Sequence, residues 1–365
     1  MAAADLFIGL MSGTSLDGID AALVDFGAGE LDCIATRYVP LAPEVRAEAL
    51  AIQTPGTNEL QRAALLANRL ADAYADAVAG LLAEAGVAAA QVRAIGCHGQ
   101  TVRHVPAAGY TIQLNSPARL AERSGVTVVA DFRSRDIAAG GQGAPLVPAF
   151  HDAVFRAPDT HRVIVNVGGI ANLTDLAPGR PTRGFDCGPG NMLLDGWAAR
   201  HLGASHDEGG AWGRQGRTLP ALLARLKRHP FLDETPPKSC GREEFGMAWL
   251  DAQLGGQEAA ADVQATLVDL TVDGIGEAIT RWCGSPAEIF VCGGGVHNAG
   301  VMVGLASALP QARVDRTDAL GMPADWVEAL AFAWLAHRTL QGLPGNLPEV
   351  TGARGPRVLG AIYPA

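Results

Sequence analysis

Two glycine-rich turns carry the groups most able to do chemistry. They are Met11-Ser12-Gly13-Thr14-Ser15-Leu16-Asp17-Gly18, after the run Asp5–Gly9, and Asn166-Val167-Gly168-Gly169-Ile170-Ala171-Asn172, after Arg162–Val165. Turns dense in Gly, Ser, Thr and Asn offer unencumbered backbone N–H groups and hydroxyls, the equipment for holding phosphate oxygens. Taken singly, either is also an ordinary hairpin turn. Each is followed by a second alternating segment, Ile19–Phe26 and Leu173–Leu176, so the same strand, small-residue hairpin and strand occur twice. That repetition suggests two clamps for one ligand. A carboxylate, Asp186, ends the strand-like run Thr182–Asp186 just before Gly188-Pro189-Gly190, which presents it at an edge rather than on a solvated helix. An Asp in such a place also serves simply as a turn residue.

Other phosphate chemistries are excluded by what the chain lacks. A Walker loop needs a lysine after glycine, and the lysines here, Lys227 and Lys238, follow Leu and Pro. The dinucleotide fingerprint fails at Gly293-Gly294-Gly295-Val296-His297-Asn298, whose sixth position is Asn. A net charge of −10 argues against nucleic acid as a partner. Long apolar runs and a signal-peptide start are absent, so neither membrane spanning nor export is expected. The cysteines Cys33, Cys97, Cys187, Cys240, Cys283 and Cys292 are scattered without a C-x-x-C pair, as reduced thiols of a cytoplasmic protein are. Cys187 has no cation beside it in sequence and reads as filler. His98 and His104 lack zinc-site spacing, and His98 reads as a structural donor after a buried strand.

The positioning elements alternate between extended and helical runs. After a third extended stretch, Cys33–Leu41, come a helix from about Asn58 to Ala85, a strand Ala94–Cys97, a helix Ser116–Ser124 and a strand Val126–Ala130. The order then repeats: strands Arg162–Val167, Leu173–Leu176 and Thr182–Asp186, helices Asn191–His201, Leu219–Arg228, Glu243–Leu254 and Ala260–Cys283, strand Glu288–Cys292, helix Asn298–Leu309, strand Ala312–Arg316 and helix Asp325–Leu340. The tail Val358–Tyr363 reads as a strand returning to the first domain. Strands alternating with helices predict an α/β fold with a parallel sheet, the first domain reading as three antiparallel-capable strands followed by helix, strand, helix and strand.

Seven blocks, together with Glu328 in the late helix and the closing Gly360-Ala361-Ile362-Tyr363-Pro364, make the chain resemble the anhydro-N-acetylmuramic acid kinase family, within the sugar kinase, Hsp70 and actin superfamily. They are the first turn, Gly96-x-His98-Gly99-Gln100-Thr101, Asp131-Phe132-Arg133-Ser134-Arg135-Asp136, Gly140-Gly141-Gln142-Gly143-Ala144-Pro145-Leu146, the second turn, Phe185-Asp186-Cys187-Gly188-Pro189-Gly190-Asn191, and the triple-glycine segment. The resemblance implies two related ribonuclease-H-like domains (the actin-like ATPase/sugar kinase fold) with an interdomain active-site cleft. The expected domains are 1–135 with about 345–365, and 136–344. It implies an ATP-dependent kinase of peptidoglycan recycling that opens the 1,6-anhydro ring of 1,6-anhydro-N-acetylmuramic acid with water and phosphorylates O6. ATP and Mg²⁺ are the implied cofactors, the amino sugar the partner, and a cytoplasmic homodimer the expected form.

The same resemblance assigns roles. Asp186 becomes the general base that activates water. Gly13, Thr14, Ser15, Leu16, Asp17, Gly18, Ile19 and Asp20 become the first phosphate hairpin, with Asp17 a holder of Mg²⁺ or simply a turn stabiliser. Gly168, Gly169 and Asn172 become the opposing clamp, and Gly293, Gly294 and Gly295 let backbone approach the nucleotide. Gln100, Thr101, Arg133 and Glu328 face the sugar, whose lactyl carboxylate suits the fork of Arg133 or Arg135. Two other readings stay open: a different acceptor on the same fold, and an ATP-driven binding protein of the Hsp70 or actin kind, disfavoured by a tail of roughly 20 residues after the last helix.

Overall fold

The computed structural model describes residues 4–13, 16–27, 29, 31–241 and 244–365. The chain divides into one unit of Met1–Phe150 with Trp326–Ala365 and another of His151–Asp325.

In the first unit, β1 (Leu6–Met11), β2 (Gly18–Asp25) and β3 (Asp32–Pro40) form an antiparallel meander, and β4 (Val92–Cys97) lies parallel to β1. Beyond β4, β5 (Gln100–Val105) and β6 (Tyr110–Leu114) make a separate hairpin. The segment β7 (Val128–Ala130) then joins β4, and the C-terminal strand Ala361–Tyr363 closes that edge antiparallel to β7. The β5–β6 hairpin is an addition to the elements expected from sequence.

One face of this sheet is covered by the helix Glu59–Ala85. Its buried Leu66, Leu70, Tyr74, Val78 and Leu82 recur every four residues and meet Leu6, Ile8 and Leu10 of β1 and Ile19, Ala21 and Leu23 of β2. Fully burying each large aliphatic contributes about 1.5–3 kcal/mol. The other face receives the helix Val327–Leu340 at backbone distance. A Cβ on Gly9 would stand 1.8 Å from the Ala329 carbonyl oxygen, and one on Gly96 2.0 Å from that of Phe332. Gly9 and Gly96 are register partners across β1 and β4, so together they make the slot on which the helix rests. This is why Val327–Leu340 goes with the first unit, whereas the sequence boundaries near 135 and 345 assigned it to the second.

In the second unit, β8 (Arg162–Val167), β9 (Ile170–Leu176) and β10 (Arg183–Pro189) repeat the antiparallel meander, and β11 (Glu288–Cys292) and β12 (Arg313–Arg316) add in parallel beside β8. The strand order β10-β9-β8-β11-β12 matches the β3-β2-β1-β4-β7 core of the first unit. The duplication read from element order is therefore a duplication of sheet topology. Strand β10 runs three residues beyond Asp186, through Gly188 and Pro189, which read as loop in the sequence. The helix expected over Glu243–Leu254 spans Met247–Gln253, with Glu243 outside the described residues.

Buried Asp136 ties the Gly140–Leu146 segment to the C-terminal region inside the first unit. Its Oδ2 accepts the Gly143 N–H at 2.8 Å, while Oδ1 accepts from Asn346 Nδ2 at 2.6 Å and Thr351 Oγ1 at 2.7 Å. Asp136→Asn turns one acceptor oxygen into a donor facing another donor. It is expected to destabilise the protein by about 1–3 kcal/mol in chemical denaturation, where a change within error would contradict this role.

Candidate active site

In the first hairpin, the Leu16 N–H donates to the Gly13 carbonyl at 3.3 Å, and Leu16 takes a left-handed φ of 59° while burying its side chain. Ile19 is also buried, within the same core cluster, so Leu16 and Ile19 have only backbone to offer a ligand. Thr14 and Ser15 lie outside the described residues. Ser12 anchors the hairpin from below: its hydroxyl shares a 2.7 Å hydrogen bond with the Tyr74 hydroxyl and donates to the Gly99 carbonyl at 3.3 Å. Asp17 is exposed and its Oδ1 accepts the Gly18 N–H at 3.0 Å, the turn-stabilising use of that carboxylate. Gly18 lies under the Tyr38 ring, where a Cβ would be 2.3 Å from the nearest ring atom, and Asp20 is Tyr38's cross-strand neighbour.

The turn after β4 is stitched to this hairpin. The His98 N–H donates to the Leu10 carbonyl at 3.0 Å, and Gln100 Nε2 donates to the Gly13 carbonyl at 3.2 Å. Gln100 Oε1 is buried with no hydrogen-bond partner among the described residues. Thr101 Oγ1 accepts from Gln113 Nε2 at 3.2 Å.

Arg133 follows β7, where Asp131 turns the chain with φ 59° and accepts from Ser134 Oγ at 2.5 Å. Its guanidinium donates through Nε and Nη2 to His98 Nε2, at 3.2 and 2.9 Å, and through Nη1 to the Gly143 carbonyl at 2.8 Å. With five donors on the group, one N–H remains on each terminal nitrogen. Burial pulls the Arg133 pKa down to about 10, against the opposing charges of Glu328 and Asp136. Glu328, in the first turn of Val327–Leu340, has its carboxyl pushed up by burial and held back by Arg133. Arg135 is exposed. The fold thus distinguishes two arginines that the sequence left equivalent. The expectation that His98 is a donor is corrected at Nε2, which must accept because guanidinium nitrogens only donate.

In the second unit, Asp186 on β10 lies directly across from Asn172 on β9, so the second hairpin and the carboxylate share a sheet face. The Asp186 backbone N–H donates to the Lys238 carbonyl at 3.1 Å, and Asp186 Oδ2 accepts the Cys240 N–H at 2.9 Å. Among the described residues nothing donates to Oδ1. Burial raises the carboxyl pKa to about 6, with the Cys240 N–H and the Lys238 charge opposing. Lys238 is itself buried, its Nζ donating to the Phe231 and Leu232 carbonyls at 2.8 and 3.2 Å. Cys187 is buried and its thiol pushed well up, chiefly by burial, which fits filler rather than a nucleophile.

The carbonyls of Gly168 and Gly169 accept N–H groups of Gly190, Asn191 and Met192 at the start of the helix Asn191–Leu202. A Cβ on Gly168 or Gly169 would meet nothing nearer than 3.7 Å, so the protein's own packing does not demand glycine there. The triple glycine is different. Gly293 and Gly295 are required by the end of β8, where a Cβ would come within 2.3 Å of Asn166 Oδ1 and 2.2 Å of Val167 Cγ1, whereas Gly294 is exposed with nothing nearer than 3.6 Å. Approach of a ligand to bare backbone is thus supported at Gly294 alone.

Sequence reasoning missed Lys238 and Cys240, which lie more than 50 residues from Asp186 in a Pro-Pro turn with no strand signal. The available signal was a lone lysine in a chain that has only one other.

The family model described as anhydro-N-acetylmuramic acid kinase matches residues 5–365. A relative of that name from Nitrosospira multiformis is 56% identical over 361 residues, covering 98% of this chain and 99% of its own. Another from Thiobacillus denitrificans is 54% identical over 366 residues, covering 99% and 98%. Among solved structures, component A of the (R)-2-hydroxyglutaryl-CoA dehydratase of Acidaminococcus fermentans is similar in fold, with a TM-score of 0.50 at 14% identity over 90% of this chain and 96% of that one.

Proposed function

The chain belongs to the anhydro-N-acetylmuramic acid kinase family, and from that premise we propose which residues carry its reaction. It is a phosphotransferase of cell-wall recycling with the two-domain actin-like fold of sugar kinases. Water forms a bond to C1 of 1,6-anhydro-N-acetylmuramic acid, the C1–O6 bond breaks, and O6 takes the γ-phosphoryl group of ATP, giving N-acetylmuramic acid 6-phosphate and ADP.

Asp186 takes the proton from the attacking water. The observation that carries this assignment is a carboxylate with one oxygen pinned by the Cys240 N–H and the other without a donor among the described residues, at a pKa of about 6. A base poised near working pH is efficient because it is both ionised and willing to hold a proton. The hairpin from Gly13 to Asp20 and the turn Gly168, Gly169 and Asn172 hold ATP phosphates, with Gly294 admitting the nucleotide to bare backbone. Mg²⁺ typically binds one or two carboxylates plus substrate phosphates. Among the described residues no cluster of three or more His, Cys, Asp or Glu side chains could hold it alone, and the exposed carboxylate of Asp17 fits the lesser requirement. When bound, the ion would neutralise charge on the transferring phosphoryl group.

Gln100 Oε1 accepts a sugar hydroxyl, Thr101 and Glu328 complete the polar contacts, and the paired N–H groups of Arg133 take the lactyl carboxylate. Arg133→Gln is expected to raise KM for the sugar by about 10- to 100-fold. It should also reduce the preference over 1,6-anhydro-N-acetylglucosamine, which lacks the lactyl arm; an undiminished preference would remove Arg133 from that role. The six cysteines are free thiols, which supports a cytoplasmic setting, and no helix among the described residues is long and apolar enough to cross a membrane. A homodimer, the commonest closed assembly, is checked by light scattering. The function as a whole is tested by incubating the protein with ATP, Mg²⁺ and the anhydro sugar: the expected product is ring-opened and 6-phosphorylated, and its absence would refute the reading.

A further inference from the structure

We propose that His98 is a positioning residue for sugar specificity: as a neutral ring accepting two N–H groups at Nε2, it aims Arg133's remaining donors at the substrate carboxylate. The proposal rests on the assignment of Arg133 to that carboxylate.

The geometry comes from three sides. Arg133 Nε and Nη2 are the two nitrogens of the guanidinium's side edge, and both converge on one atom, His98 Nε2, at 3.2 and 2.9 Å. A single lone pair receiving two donors fixes the rotation of the guanidinium plane more tightly than one bond does. The Gly143 carbonyl holds Nη1 at 2.8 Å, leaving an N–H on each terminal nitrogen for a planar two-oxygen acceptor. The imidazole is itself immobilised. It is 5% exposed, its backbone N–H is bonded to Leu10 in β1, and its ring packs on Phe332 with centroids 4.8 Å apart. Phe332 in turn belongs to the helix that carries Glu328.

Neutrality is essential to this arrangement. A ring protonated at Nε2 would place a donor against two donors and a cation against a cation. Burial and the Arg133 charge both hold the His98 pKa well below its ordinary value, against backbone groups of Ser12 and Gly99 that favour the charged form. The ring therefore stays an acceptor over the neutral pH range, with its proton on Nδ1, which is buried without a hydrogen-bond partner among the described residues.

The test measures kcat and KM for the anhydro sugar with its lactyl carboxylate and for 1,6-anhydro-N-acetylglucosamine, in His98→Leu, His98→Gln and Arg133→Gln. Leucine removes the acceptor, whereas a glutamine Oε1 reaches the place of Nε2. His98→Leu is expected to lower the kcat/KM ratio of the two sugars by about 10- to 100-fold, chiefly through KM of the carboxylated sugar, and His98→Gln to restore most of it. Thermal unfolding checks that His98→Leu is folded; if it is not, the comparison of His98→Gln with wild type decides alone, because a ratio lost in a folded Gln variant overturns the acceptor role. An equal fall for both sugars in His98→Leu, leaving the ratio unchanged, also overturns the proposal, since that is what a purely structural histidine gives. A ratio unchanged in Arg133→Gln fails the underlying assignment instead, and the two failures are told apart by which variant keeps its preference.

Discussion

Asp186→Asn is expected to lower kcat by about 10²- to 10⁴-fold while ATP still binds, because the amide keeps the shape of the side chain but cannot accept a proton from water. Turnover is measured as ADP release in the presence of the sugar, and nucleotide binding by calorimetry; near-normal turnover would move the base elsewhere. In the wild type, kcat should fall as pH drops through about 6, where the Asp186 carboxyl protonates. The same shift has a consequence for stability. An acid whose pKa is higher folded than unfolded binds more protons in the native state, so stability decreases as pH rises through the interval between the two values. Asp186→Asn removes the cost of the buried charge and should therefore be more stable than wild type above pH 6, although less active. That opposition is expected of a group kept for chemistry.

The second large effect is structural. Gly96→Val puts side-chain atoms where the Phe332 carbonyl stands 2.0 Å from the position of a Cβ, and the obstacle is helix backbone, which cannot swing aside as a side chain would. The helix Val327–Leu340 must lift from β1 and β4. A loss of about 3 kcal/mol or more is expected in denaturant titration, at the upper end for overpacked sites because backbone must move. Whatever protein survives should bind the sugar poorly, because Phe332 supports the His98 ring and Glu328 starts the same helix. A variant with unchanged stability would mean that the helix does not need the slot formed by Gly9 and Gly96.

Much of this architecture was legible from the order of extended and helical runs. The helix Glu59–Ala85 announced itself by its alanine-rich run and stopped at Gly86 in the left-handed conformation that glycine favours. The repeated order of elements anticipated two sheets of one topology. The β5–β6 hairpin escaped because Gln100-Thr101-Val102-Arg103-His104-Val105 is mostly polar, leaving a weak apolar alternation in the sequence. The end of β10 escaped because Gly188 and Pro189 are ordinarily loop residues.

The site divides along the same line. Gly168, Gly169 and Asp186 stood out through the repetition of the hairpin and the motif blocks around them, since each alone is an ordinary turn residue. The environment of Asp186 did not, because its partners Lys238 and Cys240 are brought in by tertiary structure. The choice of Arg133 over Arg135 was illegible for the same reason: two residues apart, they differ in that only one reaches a buried histidine from another strand's end. Gly293 and Gly295 marked a tight approach correctly, but the approaching groups are Asn166 and Val167 of the protein itself.

The central claim is that water, activated at Asp186, opens the sugar ring while the phosphoryl group passes to O6. Mass spectrometry of early product formed in ¹⁸O-labelled water tests it most directly. The account predicts one heavy oxygen in the sugar, at C1, and none in any phosphate group. Heavy oxygen in inorganic phosphate, with an unlabelled sugar, would contradict it.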